Sequence, residues 1–210
     1  MKIGILTYHF AINYGAVLQC YALQQYLTSL GHDVEVINFI PQNYSRKRFW
    51  QNNNLRHDFV NGMSKLFLKL KYSSEMRKSF SGFVSSRFNL SESVDYTNFS
   101  DALNKYDAVI TGSDQVWGPS RWDDLCYFFD HMHNYRGRKI SYAPCCAINK
   151  AKNILKRNEI AVLLSEFYSL SVRNMETYNF VFDLIGKNVP IVSDPTLLYE
   201  FNELTDGVQP

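Results

Sequence analysis

The chain has 210 residues, of which 46% are hydrophobic and 20% are charged, with a formal net charge of +2. This composition is typical of a soluble globular protein, and the small charge without zinc-ligand spacing or an RNA-binding motif argues against nucleic-acid binding. No apolar run is long enough for a transmembrane segment or a signal peptide, so we expect a cytoplasmic protein, working in the cytosol or at the inner face of the membrane.

The chain begins with a strand, a helix and a second strand. Residues 3–6 form a short apolar run, which predicts a buried strand. Apolar residues at three- and four-residue spacing predict a helix over residues 16–30, which Gly31 ends. Residues 34–39 predict the second strand. Short loops between these elements require a parallel pair of strands with a right-handed crossover.

Between about residues 41 and 100 the pattern changes, because polar and basic residues dominate. We interpret this stretch as a helical insertion with two helices, near residues 58–71 and 74–87. The pattern leaves two roles open, since such an insertion either flanks the sheet or forms a mobile lid over it.

The remainder of the chain again alternates strands with helices. Such alternation predicts an α/β fold, Rossmann-like, with a mainly parallel sheet and flanking helices. We expect this domain to cover residues 1–195, with residues 196–210 as the start of a linker to an absent second domain. The predicted strands are residues 106–111, 139–143, 169–173 and 189–192, and the predicted helices are residues 151–165 and 175–185.

Ligands of open α/β sheets bind beyond the carboxyl ends of the strands. Among the loops at that edge, residues 112–117 carry the most polar groups. Ser113, Asp114 and Gln115 offer a hydroxyl, a carboxylate and an amide, and Trp117 either stacks on a sugar or belongs to the core. The alternative to a binding site is a helix that Ser113 or Asp114 caps.

Two other features lie at the same predicted edge. The first predicted helix begins at Asn13, Tyr14 and Gly15. One interpretation is that its free N–H groups bind an anion or a sugar hydroxyl. The alternative is a simple turn and cap. Arg173 ends a predicted strand, and its guanidinium either binds a phosphate or carboxylate or forms a structural ion pair. The four cysteines have no C-x-x-C spacing, so we predict no metal site.

Four ordered segments of the chain resemble the polysaccharide pyruvyl transferase family. The resemblance implies the N-terminal half of a two-domain, glycosyltransferase-B-like fold. It further implies transfer of a pyruvyl group from phosphoenolpyruvate to two hydroxyls of one sugar, as a ketal, in the biosynthesis of exopolysaccharide or capsule. No metal or cofactor is implied, since phosphoenolpyruvate is the donor substrate. The matching segments are residues 13–19 with 21–23, residues 106–117, residues 140–144, and residues 171–173 with 194–198.

The resemblance also assigns roles to individual residues. Asp114 becomes the candidate catalytic residue, which orients or deprotonates a hydroxyl of the acceptor, a glycan or a lipid-linked saccharide. Arg173 is expected to help neutralise the donor's negative charge. The candidate substrate-binding residues are Asn13, Tyr14, Gly15, Ser113, Gln115, Trp117, Tyr142 and Arg173.

Three functions stay open at this stage. The chain is the acceptor-side half of a pyruvyl transferase, incomplete alone and completed by a separately encoded C-terminal half or by a homodimer. Alternatively, it is a non-catalytic module that binds a glycan or a partner, or a fragment of a nucleotide-sugar glycosyltransferase.

Overall fold

A five-stranded, all-parallel sheet forms the centre of the fold, in the order β3-β2-β1-β4-β5. The structure is a computed structural model that describes residues 1–41, 63–118, 124–132, 134–146 and 156–205, with the backbone alone for residues 63–73 and 205. The all-parallel sheet confirms the predicted α/β, Rossmann-like fold. The strands are β1 (Lys2–Leu6), β2 (Asp33–Phe39), β3 (Leu90–Val94), β4 (Ala108–Thr111) and β5 (Arg138–Ser141).

Helices flank this sheet. None of those that the structure describes is long and apolar enough to cross a membrane. In the described parts of the chain, the α-helices are α1 (Tyr14–Ser29), α2 (Met63–Arg87), α3 (Phe99–Leu103), α4 (Arg157–Ser165), α5 (Met175–Ile185) and α6 (Asn202–Thr205). Two short 3-10 helices, Cys126–Phe128 and Pro195–Leu197, lie in loops.

The core lies on both faces of the sheet, because successive side chains of a strand point to opposite faces. Ile3 and Ile5 of β1 belong to the same buried cluster as Val17 and Cys20 of α1. Leu6 belongs to the larger cluster on the other side, which also contains the 3-10 helix Cys126–Phe128 and buried residues of α4 and α5.

The ends of α1 and α5 follow from their capping residues. The side chain of Asn13 accepts a hydrogen bond from the backbone of Ala16, so α1 begins earlier than the apolar pattern predicts. Asn174 caps α5 in the same way, through the backbone of Thr177. Gly186 ends α5 in the left-handed region at φ 65°, which confirms the predicted helix over residues 175–185.

The stretch over residues 41–100 differs from the prediction in two ways. Where two helices were predicted, α2 runs without a break, although the predicted start near residue 58 lies outside the described residues. Strand β3, which pairs with β2 at the edge of the sheet, was not predicted. Its sequence, LSESV, contains few apolar residues, because an edge strand buries little: only Ser91 and Val94 are buried.

The predicted strands at residues 169–173 and 189–192 are wrong as regular strands. They form only isolated parallel bridges, between Ile140 and Ser169 and between Val172 and Ile191. Serine hydroxyls take part in the backbone pairing here: Ser141 Oγ donates to the Ser171 carbonyl at 2.9 Å, and Ser171 Oγ donates to the Ser141 carbonyl at 2.8 Å. Backbone bonds are also made here, from the N–H of Ser141 to the Ser169 carbonyl at 3.0 Å and from the N–H of Ser171 to the Ser141 carbonyl at 3.2 Å.

Candidate functional site

Loops that follow three adjacent strands meet at the carboxyl edge of the sheet. Residues 7–13 follow β1, residues 112–118 follow β4, and residues 142–146 follow β5. Arg173 and Asp194 join these loops from later in the chain, through hydrogen bonds to Ser113 and Cys145. The structure thus brings most of the sequence-predicted site residues to one edge, as expected for ligand binding in an open α/β sheet.

Gly112 allows the β4 loop to turn against the β5 loop. Its φ is +112°, a value that side-chain-bearing residues rarely adopt. A Cβ atom at this position would lie 2.3 Å from the carbonyl oxygen of Tyr142. The close approach of the two loops therefore requires glycine.

A buried hydrogen-bond network fixes the loop after Gly112. Gln19 Oε1 accepts from the backbone N–H of Ser113 at 3.0 Å, and Gln19 Nε2 donates to Thr7 Oγ1 at 3.1 Å. Thr7 Oγ1 in turn donates to the Ser113 carbonyl at 3.2 Å. Helix α1 and the loop after β1 thus hold both polar backbone groups of Ser113, in a site without access to water.

The side chain of Ser113 is also part of this framework. Its hydroxyl is fully buried, donates to the Ala143 carbonyl at 2.8 Å, and lies 3.3 Å from Asp194 Oδ2. The expectation that Ser113 contacts a substrate is corrected accordingly, because its hydroxyl faces the protein interior and positions the loop.

Trp117 likewise belongs to the interior. The indole is fully buried, donates from Nε1 to the Tyr127 carbonyl at 3.0 Å, and stacks on Phe128 with ring centroids 5.0 Å apart. The core alternative therefore holds for Trp117, and the expectation that it stacks on a sugar is corrected. Its large apolar ring anchors the far end of the loop.

Asp114 projects from the middle of this fixed loop. Its φ is +76°, and its carbonyl accepts from the Cys145 backbone at 2.8 Å, which ties it to the β5 loop. Oδ1 accepts from the Gln115 backbone at 2.7 Å, while Oδ2 has no hydrogen-bond partner among the residues that the structure describes. No helix follows it as far as Gly118, so Asp114 is not a helix cap. A half-buried carboxylate with one open oxygen is able to accept a hydrogen bond from a ligand hydroxyl.

Arg173 forms the structural ion pair that the sequence left as one alternative. Its Nη1 lies 2.8 Å from Asp194 Oδ2, and its Nη2 lies 2.8 Å from the Sγ of Cys145. Burial raises the pKa of Asp194, but hydrogen bonds from Thr196 and Arg173 outweigh burial, so the pKa is lowered overall. The carboxylate stays ionised and neutralises Arg173, which leaves little net charge for an anionic donor.

Tyr142 and Gln115 have different surroundings. The Tyr142 hydroxyl donates to the Ser193 carbonyl at 3.2 Å and so joins the β5 loop to the Asp194 segment. Burial raises the pKa of Tyr142, and the nearby Tyr26 and Asp194 add to the effect, so the phenol stays protonated. The side chain of Gln115 is exposed beside Asp114, where it is open to a ligand.

The start of α1 combines a cap with an exposed aromatic ring. Asn13 Oδ1 accepts from the Ala16 backbone at 3.0 Å, so its side chain serves as a cap, and Gly15 is exposed. The Tyr14 side chain is 73% exposed, and its ring centroid lies 4.9 Å from that of Phe80 in α2. Tyr14 thus remains open to a ligand, with Phe80 beside it.

Four residues that were not predicted hold the site together. Thr7, Gln19, Cys145 and Asp194 were not predicted as site residues, although each contacts Ser113 or Arg173. Gln19 carried the one usable signal, because a polar residue at a buried helical position needs a hydrogen-bond partner.

A family model described as polysaccharide pyruvyl transferase matches residues 13–208. The match includes the loops after β4 and β5 together with Arg173 and Asp194, whereas residues 7–12 of the loop after β1 precede it. The chain belongs to the polysaccharide pyruvyl transferase family. Comparison with curated proteins and with solved structures gives no match.

Proposed function

We propose that this pyruvyl transferase family chain forms the acceptor-binding side of an active site in which Asp114 is the catalytic residue. The observation that carries the proposal is the open Oδ2 of Asp114, on a loop whose backbone a buried network fixes. Preorganised groups contribute most to catalysis, because no energy is spent on ordering them during the reaction. Tyr14 and Gln115, both exposed at this edge, are the remaining candidates for acceptor contacts.

The proposed reaction assigns Asp114 a proton-accepting role. A general acid protonates the CH2 carbon of phosphoenolpyruvate, and the electron pair of its double bond forms the new C–H bond. A sugar hydroxyl then bonds to the electron-poor C2 while Asp114 accepts the hydroxyl proton. A second hydroxyl of the same sugar then bonds to C2 and displaces phosphate, which leaves with the C–O bond electrons and takes up the proton of this hydroxyl, and the ketal is complete.

The donor needs cationic groups other than Arg173. Phosphoenolpyruvate carries a phosphate and a carboxylate, whereas the Arg173 guanidinium is already bonded to Asp194 and Cys145. We therefore propose that groups other than the described residues of this site, or a second copy of the chain, supply the remaining cationic contacts to the donor. The acceptor is a glycan or lipid-linked saccharide of surface polysaccharide biosynthesis. Four free, buried cysteines agree with a cytoplasmic, reducing location.

The test is pyruvyl transfer from phosphoenolpyruvate to candidate glycans, with the chain alone and with any longer protein or partner chain that supplies further donor-binding groups. Asp114→Asn should lower turnover by about 10²- to 10⁴-fold, because the amide does not accept the hydroxyl proton. Asp183→Asn is the matched control, since Asp183 is exposed on α5 and lies outside the site. Both variants should keep the thermal midpoint of the parent.

Unchanged turnover in Asp114→Asn would remove Asp114 from the mechanism. The paired state of Arg173 also favours a second candidate, a non-catalytic module that binds a glycan. That function would give saccharide binding sensitive to Asp114→Asn, with no turnover in any combination. Turnover of a nucleotide sugar instead of phosphoenolpyruvate would identify a glycosyltransferase.

A further inference from the structure

Helix α1 carries two buried glutamines, Gln19 and Gln24, whose side chains are 1% and 4% exposed. A glutamine amide has two N–H donors and a carbonyl acceptor, so burying it requires hydrogen-bond partners. The two amides find their partners in different parts of the fold, and this difference gives them different roles.

The amide of Gln24 joins α1 to the chain between α2 and β3. Its Nε2 donates to the Arg87 carbonyl at 3.2 Å, and its Oε1 accepts from the backbone N–H of Asn89 at 2.9 Å. Arg87 and Asn89 lead into the edge strand β3, which lies three strands away from β4 in the sheet. Gln24 therefore connects two parts of the fold at a distance from the Asp114 loop.

The amide of Gln19 instead reaches the residue that precedes Asp114. Its Oε1 accepts from the N–H of Ser113 at 3.0 Å, while its Nε2 donates to the Ala16 carbonyl at 2.8 Å and to Thr7 Oγ1 at 3.1 Å. Thr7 Oγ1 donates to the Ser113 carbonyl at 3.2 Å, which closes a ring of hydrogen bonds. Both N–H donors of the amide are used, so its orientation is fixed, because a flipped amide would point an N–H at the N–H of Ser113.

The backbone of Asp114 depends on support from both sides. Its φ of +76° lies in the left-handed region, which residues other than glycine adopt uncommonly and which the surrounding structure must hold in place. On one side, the Asp114 carbonyl accepts from the N–H of Cys145 at 2.8 Å. On the other side, Gln19 and Thr7 hold the preceding residue. Together these contacts fix the backbone from which the carboxylate projects.

We propose that Gln19 is a positioning residue, which sets the direction of the Asp114 carboxylate and thereby acts on turnover more than on acceptor affinity. The inference rests on the proposed function of Asp114. A proton acceptor must lie within hydrogen-bond reach of the hydroxyl, and a displacement of about 1 Å is enough to lower a rate about a hundredfold. Acceptor affinity is affected less, because the exposed Tyr14 belongs to α1 itself, which Asn13 caps independently of Gln19.

The test compares Gln19→Leu with Gln24→Leu in the pyruvyl transfer assay. Leucine has a similar size without polar atoms, so each variant leaves a buried backbone N–H without its partner, and we expect similar losses of thermal midpoint. Gln19→Leu should lower kcat at least about tenfold and change the KM for the acceptor less than about threefold, whereas Gln24→Leu should keep both constants. Equal kcat in the two variants would overturn the proposal.

Thr7 supplies a conservative rescue. Thr7→Val removes the hydroxyl without changing the shape of the side chain, so it should lower kcat as Gln19→Leu does. Thr7→Ser keeps the hydroxyl and should keep a kcat within about twofold of the parent value. Equal impairment of the two Thr7 variants would contradict the role of the hydrogen-bond ring.

A double variant separates positioning from a general loss of structure. In the Asp114→Asn background, Gln19→Leu should change kcat less than about twofold, because the carboxylate on which Gln19 acts is already absent. A further loss as large as the one in the parent background would show that Gln19 acts on another group, and the proposal would fail.

Nuclear magnetic resonance tests the positioning without turnover. The carboxyl carbon of Asp114, observed in protein with isotope-labelled aspartate and assigned by its loss in Asp114→Asn, should change its chemical shift in Gln19→Leu and keep it in Gln24→Leu. An unchanged signal in Gln19→Leu, or the same change in both variants, would overturn the positioning role. Absence of pyruvyl transfer in the parent would instead refute the proposed function and leave the resonance result unaffected.

Discussion

Charged side chains cluster at both edges of the sheet, but the two clusters do different things. At the amino edge, the carboxylate of Glu35 lies 3.1 Å from Lys2 Nζ and 2.7 Å from Lys105 Nζ, and accepts from the Tyr106 hydroxyl at 2.5 Å. At the carboxyl edge, Arg173 pairs with Asp194.

The difference lies in what each cluster leaves open. Lys2, Lys105 and Tyr106 surround the Glu35 carboxylate, so this cluster stabilises the fold and leaves few carboxylate lone pairs for a ligand. At the carboxyl edge, Arg173 and Asp194 bond to Ser113 and Cys145, and the loop that they help to fix presents Asp114 with one oxygen open. Similar ion-pair chemistry thus serves stability at one edge and positioning at the other.

The largest stability effect is expected where the carboxyl edge is most tightly constrained. Gly112→Ala should lower the free energy of unfolding by about 3 kcal/mol or more, because the new Cβ meets a backbone carbonyl and the positive φ is strained. Urea unfolding measures this loss. Gly31→Ala is the control, since Gly31 has a φ of +82° with nothing within 4 Å of its Cβ position. Equal losses in both variants would show that the loop contact is unimportant.

At the amino edge, Glu35→Gln should lower the free energy of unfolding at pH 7 by about 2 kcal/mol and leave ligand binding unchanged. Burial raises the pKa of Glu35, but Lys105, Tyr106 and Lys2 outweigh burial and lower it to about 2. Its contribution is therefore complete above the unfolded pKa of about 4.3 and is lost as the pH falls towards the folded value.

Urea unfolding at pH 7 and pH 3 measures this dependence. The difference between the parent and Glu35→Gln should shrink at the lower pH. Glu92→Gln, at an exposed position of β3, should change stability little at either pH. A stability difference between the parent and Glu35→Gln that grows at pH 3 would contradict the stabilising role of the Glu35 carboxylate. Weaker binding of the acceptor by Glu35→Gln would contradict the division of roles between the two edges.

The smallest stability effect is expected at the exposed part of the carboxyl edge. Gln115→Ala should change the free energy of unfolding by less than about 0.5 kcal/mol. It should weaken binding of the acceptor identified by the transfer assay about fivefold, through loss of one hydrogen bond. Thermal unfolding and calorimetric titration measure the two quantities. A large loss of stability in Gln115→Ala, or an unchanged affinity for the acceptor, would show that Gln115 stabilises the loop and does not contact the acceptor.

Strong local patterns predicted the regular part of the fold. The apolar runs of β1, β2 and β4 and the capped, periodic helix α5 are visible in the sequence, because each element carries its own hydrophobic period and end signals. The edge strand β3 escaped notice because its solvent-facing residues are polar. Residues 169–173 were predicted as a strand, but only isolated bridges form there, in which serine hydroxyls add side-chain bonds to the backbone bonds.

The sequence by itself determined the fold class and the family resemblance, since these depend on periodicity and ordered motifs. Only the tertiary structure decided which motif residues are buried and which are open at the surface. Ser113, Asp114 and Trp117 are neighbours in sequence, yet the first and last are fully buried and the middle one is half-buried with an open oxygen. Their orientation depends on Gln19, Tyr127 and Asp194, partners that are distant in sequence and meet only when the chain folds.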